Sequence, residues 1–182
     1  MRQFFLKVLC GYALLMAATP ANASFENYLN TLKENVVKTY HSDQKSLMLP
    51  VLAWHNRLTY DKNHIDKYNE MPWGFGAALS YYENENWHGL YAMAFKDSNS
   101  YMETFFGYAY LKNTALDDKK DWRLGYGYTL GITQRHEYAY IPVPLPLPIA
   151  AVSYKKASLN AAYVPGVKND GNVLFCWLRY DL

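Results

Sequence analysis

Three side chains in this 182-residue chain have the types that ester chemistry asks for: His55, in Trp54-His55, and the adjacent Asp97 and Ser98. Breaking or remaking an ester needs a group that takes a proton from an attacking hydroxyl, and donors that stabilise the developing oxyanion. Histidine suits the first task near neutral pH. An aspartate could orient it, and a serine could supply a nucleophile or a hydrogen bond. A covalent acyl-serine and a direct transfer assisted by His55 are equally compatible with these residues. Neighbours on a regular strand face opposite sides, so Asp97 and Ser98 converge only where the strand has already turned. Taken singly, they also read as a rim histidine and a polar strand-to-loop turn.

The segment that carries the pair is unusual. In Trp87-His-Gly-Leu-Tyr-Ala-Met-Ala-Phe-Lys-Asp-Ser98, one face holds Trp87, Gly89, Tyr91, Met93 and Phe95. Leu90, Ala92 and Ala94 form the other face, so apolar material is needed on both sides. The segment describes a greasy slot with chemistry at its mouth. Seven further alternating segments give eight strands near 50–60, 71–82, 86–96, 101–111, 121–133, 138–154, 157–165 and 172–182. Several exceed the roughly 9–11 residues of a tilted membrane span. The second and fifth send Gly, Ala, Ser and Thr inward, leaving room for an alkyl chain. An eight-stranded barrel holds side chains or one slender ligand. The expected fold is all-β: an eight-stranded antiparallel transmembrane barrel, residues 50–182, preceded by an amphipathic helix over 24–40. That helix carries Phe25, Leu29, Leu32 and Val36 on one face, with Ser24 as its cap.

Composition agrees. Met1-Arg2, Lys7, the apolar run Val8–Ala18 and Ala21-Asn-Ala23 describe a cleavable secretory signal over 1–23. Its removal takes Cys10, leaving Cys176 without a disulfide partner. It also takes two of eighteen basic residues, which leaves sixteen against sixteen acidic ones, so nothing electrostatic points to nucleic acid. Eighteen Tyr and five Trp in a chain 17% aromatic suit the girdles of an outer-membrane barrel. The last strand is apolar on alternate positions to the final residue, as in terminal strands of such barrels. His88 is expected to pack at the inner face. His41, His64 and His136 show no metal-ligand spacing, so neither metal nor cofactor is expected. The loop Asp61–Glu70 is polar and mixed in charge and reads as a solvated loop.

Tyr140-Ile-Pro-Val-Pro-Leu-Pro-Leu-Pro-Ile149 removes every N–H donor along one strand edge, because Pro142, Pro144, Pro146 and Pro148 alternate. Unpaired backbone within a bilayer needs local compensation. Either the segment is a proline-rich loop outside the membrane, or it marks an open seam through which lipid enters the lumen. The apolar residues between the prolines favour the seam. Pro50 and Pro72 bracket the first hairpin in a similar way.

These strings together resemble the PagP family of outer-membrane lipid A palmitoyltransferases. The resemblance runs through Trp54-His55, Tyr60-Asp61-Lys62, Tyr68-Asn69-Glu70, Pro72-Trp73-Gly74, the Asp97-Ser98 strand, Tyr140-Ile-Pro, Pro165-Gly166 and Gly171-Asn172-Val173. It implies transfer of a palmitoyl chain from the sn-1 position of a phospholipid to a hydroxyl on an acyl chain of lipid A. It implies that His55, Asp97 and Ser98 are needed for activity, on the external side of the outer membrane. It also implies lateral openings at Pro50 and Pro72 and at Pro148 and Pro165. The family's acyl-length ruler has a glycine at the pocket floor; here Ala109 stands there, beside Gly107. The added methyl predicts a donor preference at or slightly below sixteen carbons. A barrel that closes its own edges is expected to be a monomer. The competing expectations are a phospholipase of the same fold, a non-enzymatic structural barrel, and a soluble lipocalin-like carrier.

Overall fold

The computed structural model describes residues 22–182. The expected signal, 1–23, falls almost wholly outside them. Helix α1, Asn22–Tyr40, already includes Ser24, which therefore stands within the helix and not at its cap.

Eight strands follow: β1 Lys45–His55, β2 Gly74–Glu83, β3 Asn86–Lys96, β4 Met102–Ala115, β5 Trp122–Gln134, β6 Val143–Tyr154, β7 Ala157–Val164 and β8 Val173–Asp181. Each pairs antiparallel with the next, and β1 closes on β8. A short helix, α2 Lys62–Ile65, lies between β1 and β2.

Alternation sorts the side chains. Met48, Tyr91, Met93, Phe95, Phe105, Leu147, Ile149 and Trp177 fill the lumen. Gly76, Ala78 and Ser80 of β2 and Thr129 and Thr133 of β5 point inward as small residues, as the sequence predicts. Leu47, Leu49, Phe75, Leu124, Tyr126, Leu159, Leu178 and Tyr180 stand exposed on the outer wall. So continuous an apolar exterior suits lipid and not water. Trp122 and Tyr154 meet at 4.8 Å near one rim, a fragment of an aromatic girdle.

The two rims differ. At one, the turns 84–85 and 155–156 are two residues long, with Asn84 and Glu85 both at positive φ. At the other lie the long loops 56–73, 135–142 and 165–172. Towards the short-turn rim the lumen is plugged by polar groups. Asp181 accepts hydrogen bonds from Ser46 Oγ at 2.7 Å and Tyr82 Oη at 2.6 Å. The Arg179 guanidinium lies 3.1 Å from the same carboxylate and 4.1 Å from the Trp87 ring centroid. The lumen is closed at that end.

Two seams are incomplete, both towards the long-loop rim. β6 pairs with β7 only from Ile149↔Ala162 to Tyr154↔Ala157, whereas its proline half, Val143–Pro148, pairs with β5 alone. The missing N–H donors face β7. β1 pairs with β2 only over Lys45–Met48, and its pairing with β8 shifts register between Pro50 and Leu52.

Boundaries moved where backbone chemistry overrode alternation. β1 runs five residues earlier than the expected 50–60, because Asn56–Tyr60 folds into a turn: the N–H groups of Thr59 and Tyr60 both donate to the Asn56 carbonyl. β6 begins at Val143, after a 3₁₀ turn at His136–Tyr138 and two positive-φ residues, Ala139 and Tyr140. His88 sits on the outer face, opposite the inward Trp87. It is buried against Tyr81, Tyr108 and Tyr110, with Nδ1 2.6 Å from the Tyr108 hydroxyl.

Candidate active site

β1 and β3 both end at the long-loop rim, which brings His55 and the 97–101 turn to one mouth of the barrel. After Lys96 the chain turns at once. Asp97 N–H donates to the Tyr101 carbonyl at 2.8 Å, and Ser100 adopts φ 65°. Ser98 therefore leaves the strand's alternation, and its Oγ lies 3.0 Å from His55 Nε2.

The structure does not place Asp97 on the imidazole. Asp97 Oδ1 accepts the N–H groups of Asn99 and Tyr101, each at 2.9 Å. Its Oδ2 lies 3.8 Å from Arg135 Nη2. Arg135 also faces Glu103 at 3.8 Å and Glu137 at 3.4 Å, and Glu103 accepts a 2.6 Å hydrogen bond from Thr133. Asp97 thus shapes the turn that presents Ser98 and belongs to a buried charge cluster beside it.

The carboxylate against His55 is Glu70, at the end of the 61–70 segment whose mixed charge alone reads as a solvated loop. Glu70 Oε1 lies 3.1 Å from His55 Nδ1 and accepts the His55 backbone N–H at 3.0 Å. Arg57 grips both carboxylate oxygens at 2.6 Å and donates to the His55 carbonyl at 2.8 Å. The Arg57 fork, aided by the His55 N–H donors, holds the Glu70 carboxyl down to about 2. Glu70 reaches β1 because the loop folds back: Ala53 N–H donates to the Glu70 carbonyl at 2.9 Å, and Asn69 N–H to the Ser98 carbonyl at 2.8 Å. The sequence signal was the Tyr68-Asn-Glu string, without any indication of what it touches.

Aromatic rings hold the imidazole. Tyr68 stacks on it at 4.6 Å and Tyr60 meets it edge-on at 5.0 Å. The Tyr60 hydroxyl donates to the Gly171 carbonyl at 2.8 Å, so the β7–β8 loop buttresses the site. His55 is 2% exposed. Burial raises the phenol pKa of Tyr60 and Tyr68, so both stay neutral.

Below the mouth, Ala109 points inward and is 2% exposed. It pairs with Gly89 and Thr129. The position a Gly89 side chain would take is filled by the Trp87 indole. The Thr129 hydroxyl lies 2.5 Å from that of Tyr91. Gly107, two residues above, is half-buried. Pro72 is fully buried at the β1–β2 seam, and Pro148 and Pro165 flank the open part of the β6–β7 seam.

A closed eight-stranded barrel with a hydroxyl, an imidazole and a carboxylate linked at one mouth defines a β-barrel protein equipped for acyl-ester chemistry. Residues 35–179 match the family model described as antimicrobial peptide resistance and lipid A acylation protein PagP. The chain is 52% identical over 158 residues to the lipid A acyltransferase PagP of Proteus mirabilis, covering 86% of this chain and 74% of that protein. It is 45% identical over 171 residues to the protein of the same name from Photorhabdus asymbiotica, covering 91% and 83%. Against that of Sodalis glossinidius it is 43% identical over 189 residues, covering 99% of each chain. The chain belongs to the PagP family and is an acyltransferase. Barrel and relatives both fit an integral protein of the outer membrane.

Proposed function

We propose that this protein moves a palmitoyl chain, or one of similar length, from the sn-1 position of a phospholipid to a hydroxyl on an acyl chain of lipid A. The observation that carries the reading is the 3.0 Å contact between Ser98 Oγ and His55 Nε2, set above an apolar barrel interior whose far end is plugged by polar groups. Phospholipid enters sideways through the seams marked by Pro50 and Pro72 and by Pro148 and Pro165, and its acyl chain descends toward Gly107 and Ala109. The long-loop rim, carrying the site, faces the outer leaflet, since short turns mark the periplasmic end of such barrels. The protein works as a monomer.

His55 Nε2 acts as the base. In the covalent route it takes the Ser98 proton while Oγ attacks the ester carbonyl. The lysophospholipid leaves with that proton; a lipid A hydroxyl then attacks the acyl-serine, and its proton passes through His55 to the released Ser98 oxygen. In the direct route Nε2 takes the proton from the lipid A hydroxyl as its oxygen attacks the ester carbonyl and passes it to the departing lysophospholipid oxygen, while Ser98 serves as a hydrogen-bonding group. Asp97 holds the turn on which Ser98 stands. The test is positional: phosphatidylethanolamine labelled at sn-1 or at sn-2 is incubated with lipid A and the detergent-purified protein. Label moving to lipid A from sn-1 alone supports the reading; release as free fatty acid only would make the protein a phospholipase.

A further inference from the structure

The carboxylate that completes the site is remote in sequence from the other members. Among the described residues, Glu70 is the side chain that meets His55 Nδ1, at 3.1 Å, and the same oxygen takes the His55 backbone N–H at 3.0 Å. One carboxylate oxygen is thus tied to both the backbone and the ring of His55, which orients the imidazole. Asp97 is spoken for by two backbone N–H groups and Arg135. Arg57, gripping both Glu70 oxygens, keeps the carboxylate ionised, so it has no proton to give. The Nδ1 atom must then carry one, and in the neutral ring Nε2 is bare. A bare Nε2 facing a serine hydroxyl is the acceptor that proton abstraction requires.

We propose that Glu70 is the positioning residue of the site: it accepts the Nδ1 proton of His55, fixes the tautomer whose free Nε2 faces Ser98, and stabilises the imidazolium formed when Nε2 takes up a proton. This rests on the reading of His55 as the base. No bond to Glu70 forms or breaks, and the proton on Nδ1 stays there throughout. Glutamine is an imperfect substitute: an amide oxygen at the Oε1 position would keep the contacts to Nδ1 and Arg57 Nη1, but its NH₂ would then confront Arg57 Nη2. Above all, the imidazolium would lose the anion beside it.

The groups that face the imidazole are Glu70, Arg57, Ser98 and the phenols of Tyr60 and Tyr68; Glu70 is the anion among them. The experiment has two arms on the full barrel in micelles. The first reads the ¹⁵N shifts of the labelled His55 ring in the wild type, with the neutral ring protonated on Nδ1 expected; a proton on Nε2 overturns the proposal without any variant. The second compares Glu70→Gln and Glu70→Asp with the wild type, using heat-modifiable gel migration to confirm a folded barrel. Glu70→Gln should lower kcat on the order of a hundredfold with KM within about threefold. It should also move the acid limb of the pH profile to lower pH, since the imidazolium loses its anion. Glu70→Asp should recover part of kcat and of the limb. A folded Glu70→Gln with unchanged kcat and unchanged acid limb overturns the proposal. An inactive wild type would overturn the transfer reading instead, and the ring shifts would still decide whether Glu70 holds the tautomer.

Discussion

Ala109→Gly isolates one methyl group at the bottom of the slot. The Lys96–Met102 rung marks the mouth and Ala109 lies seven residues below it on β4. That is about 18 Å along the barrel axis, taking ~3.4 Å per residue and a strand tilt of ~40°. The depth is close to the roughly 15 Å of one leaflet of the hydrocarbon core, as a phospholipid acyl chain requires. Trp87 fills the space beside Gly89 and the Arg179 cluster blocks the path below. On the proposed function, the methyl would cap the acyl chain directly. Its removal should admit one more methylene, worth about 0.8 kcal/mol or roughly a fourfold change in selectivity. The wild type should prefer chains at or slightly below sixteen carbons, and the variant should shift up by one. The same change removes a buried methyl and adds backbone freedom in a strand, costing about 1.5 kcal/mol of stability. The assay presents mixed-chain phosphatidylcholines from twelve to eighteen carbons and reads the lipid A products by mass spectrometry, with urea titration in micelles for stability. An unchanged product ratio from a folded variant refutes the floor assignment, and so does a wild type that favours chains longer than palmitate.

Three further outcomes are expected. Cysteines at Pro148 and Tyr163, the first rung beyond the paired part of β6 and β7, should close the seam in a Cys176→Ser background. Transfer should fall at least tenfold on oxidation and recover with reductant; full activity while crosslinked would show that lipid enters elsewhere. Arg135→Ala leaves Asp97 and Glu103 without their shared counter-charge, 3.8 Å from each, and should cost about 3 kcal/mol in urea unfolding; a loss below about 1 kcal/mol would show the cluster to be solvated. Glu70 has a folded pKa of about 2, below its ordinary 4.5. Its contribution to stability is therefore complete above pH 4.5 and lost as pH falls through 2. The stability gap between wild type and Glu70→Gln should shrink over that window, and a gap constant with pH would refute it.

Much of this was legible in the sequence, for physical reasons. The Trp87–Lys96 segment could be placed because it alternates without interruption, and β3 runs Asn86–Lys96. Alternating prolines remove donors from one edge, so the open β6–β7 seam follows from covalent structure. β1 slipped by five residues because the Asn56 carbonyl captures two N–H groups, a local turn that apolar alternation does not report. Glu70 escaped because its role depends on a loop folding back across fifteen residues of chain, held by the Asn69–Ser98 and Ala53–Glu70 backbone bonds. Residue type alone suggests Asp97 as a carboxylate that could orient His55, but the tight turn that brings Ser98 inward is the one that occupies the Asp97 carboxylate.

The central question is whether His55 drives acyl transfer between two lipids. Purified wild type and His55→Ala, both shown to be folded barrels, are given sn-1-labelled phosphatidylethanolamine and lipid A in detergent. Labelled lipid A of palmitoyl mass is expected from the wild type, with a loss of at least a hundredfold in the variant. Equal transfer by both would overturn the role of His55, and label recovered only as free palmitate would overturn transfer.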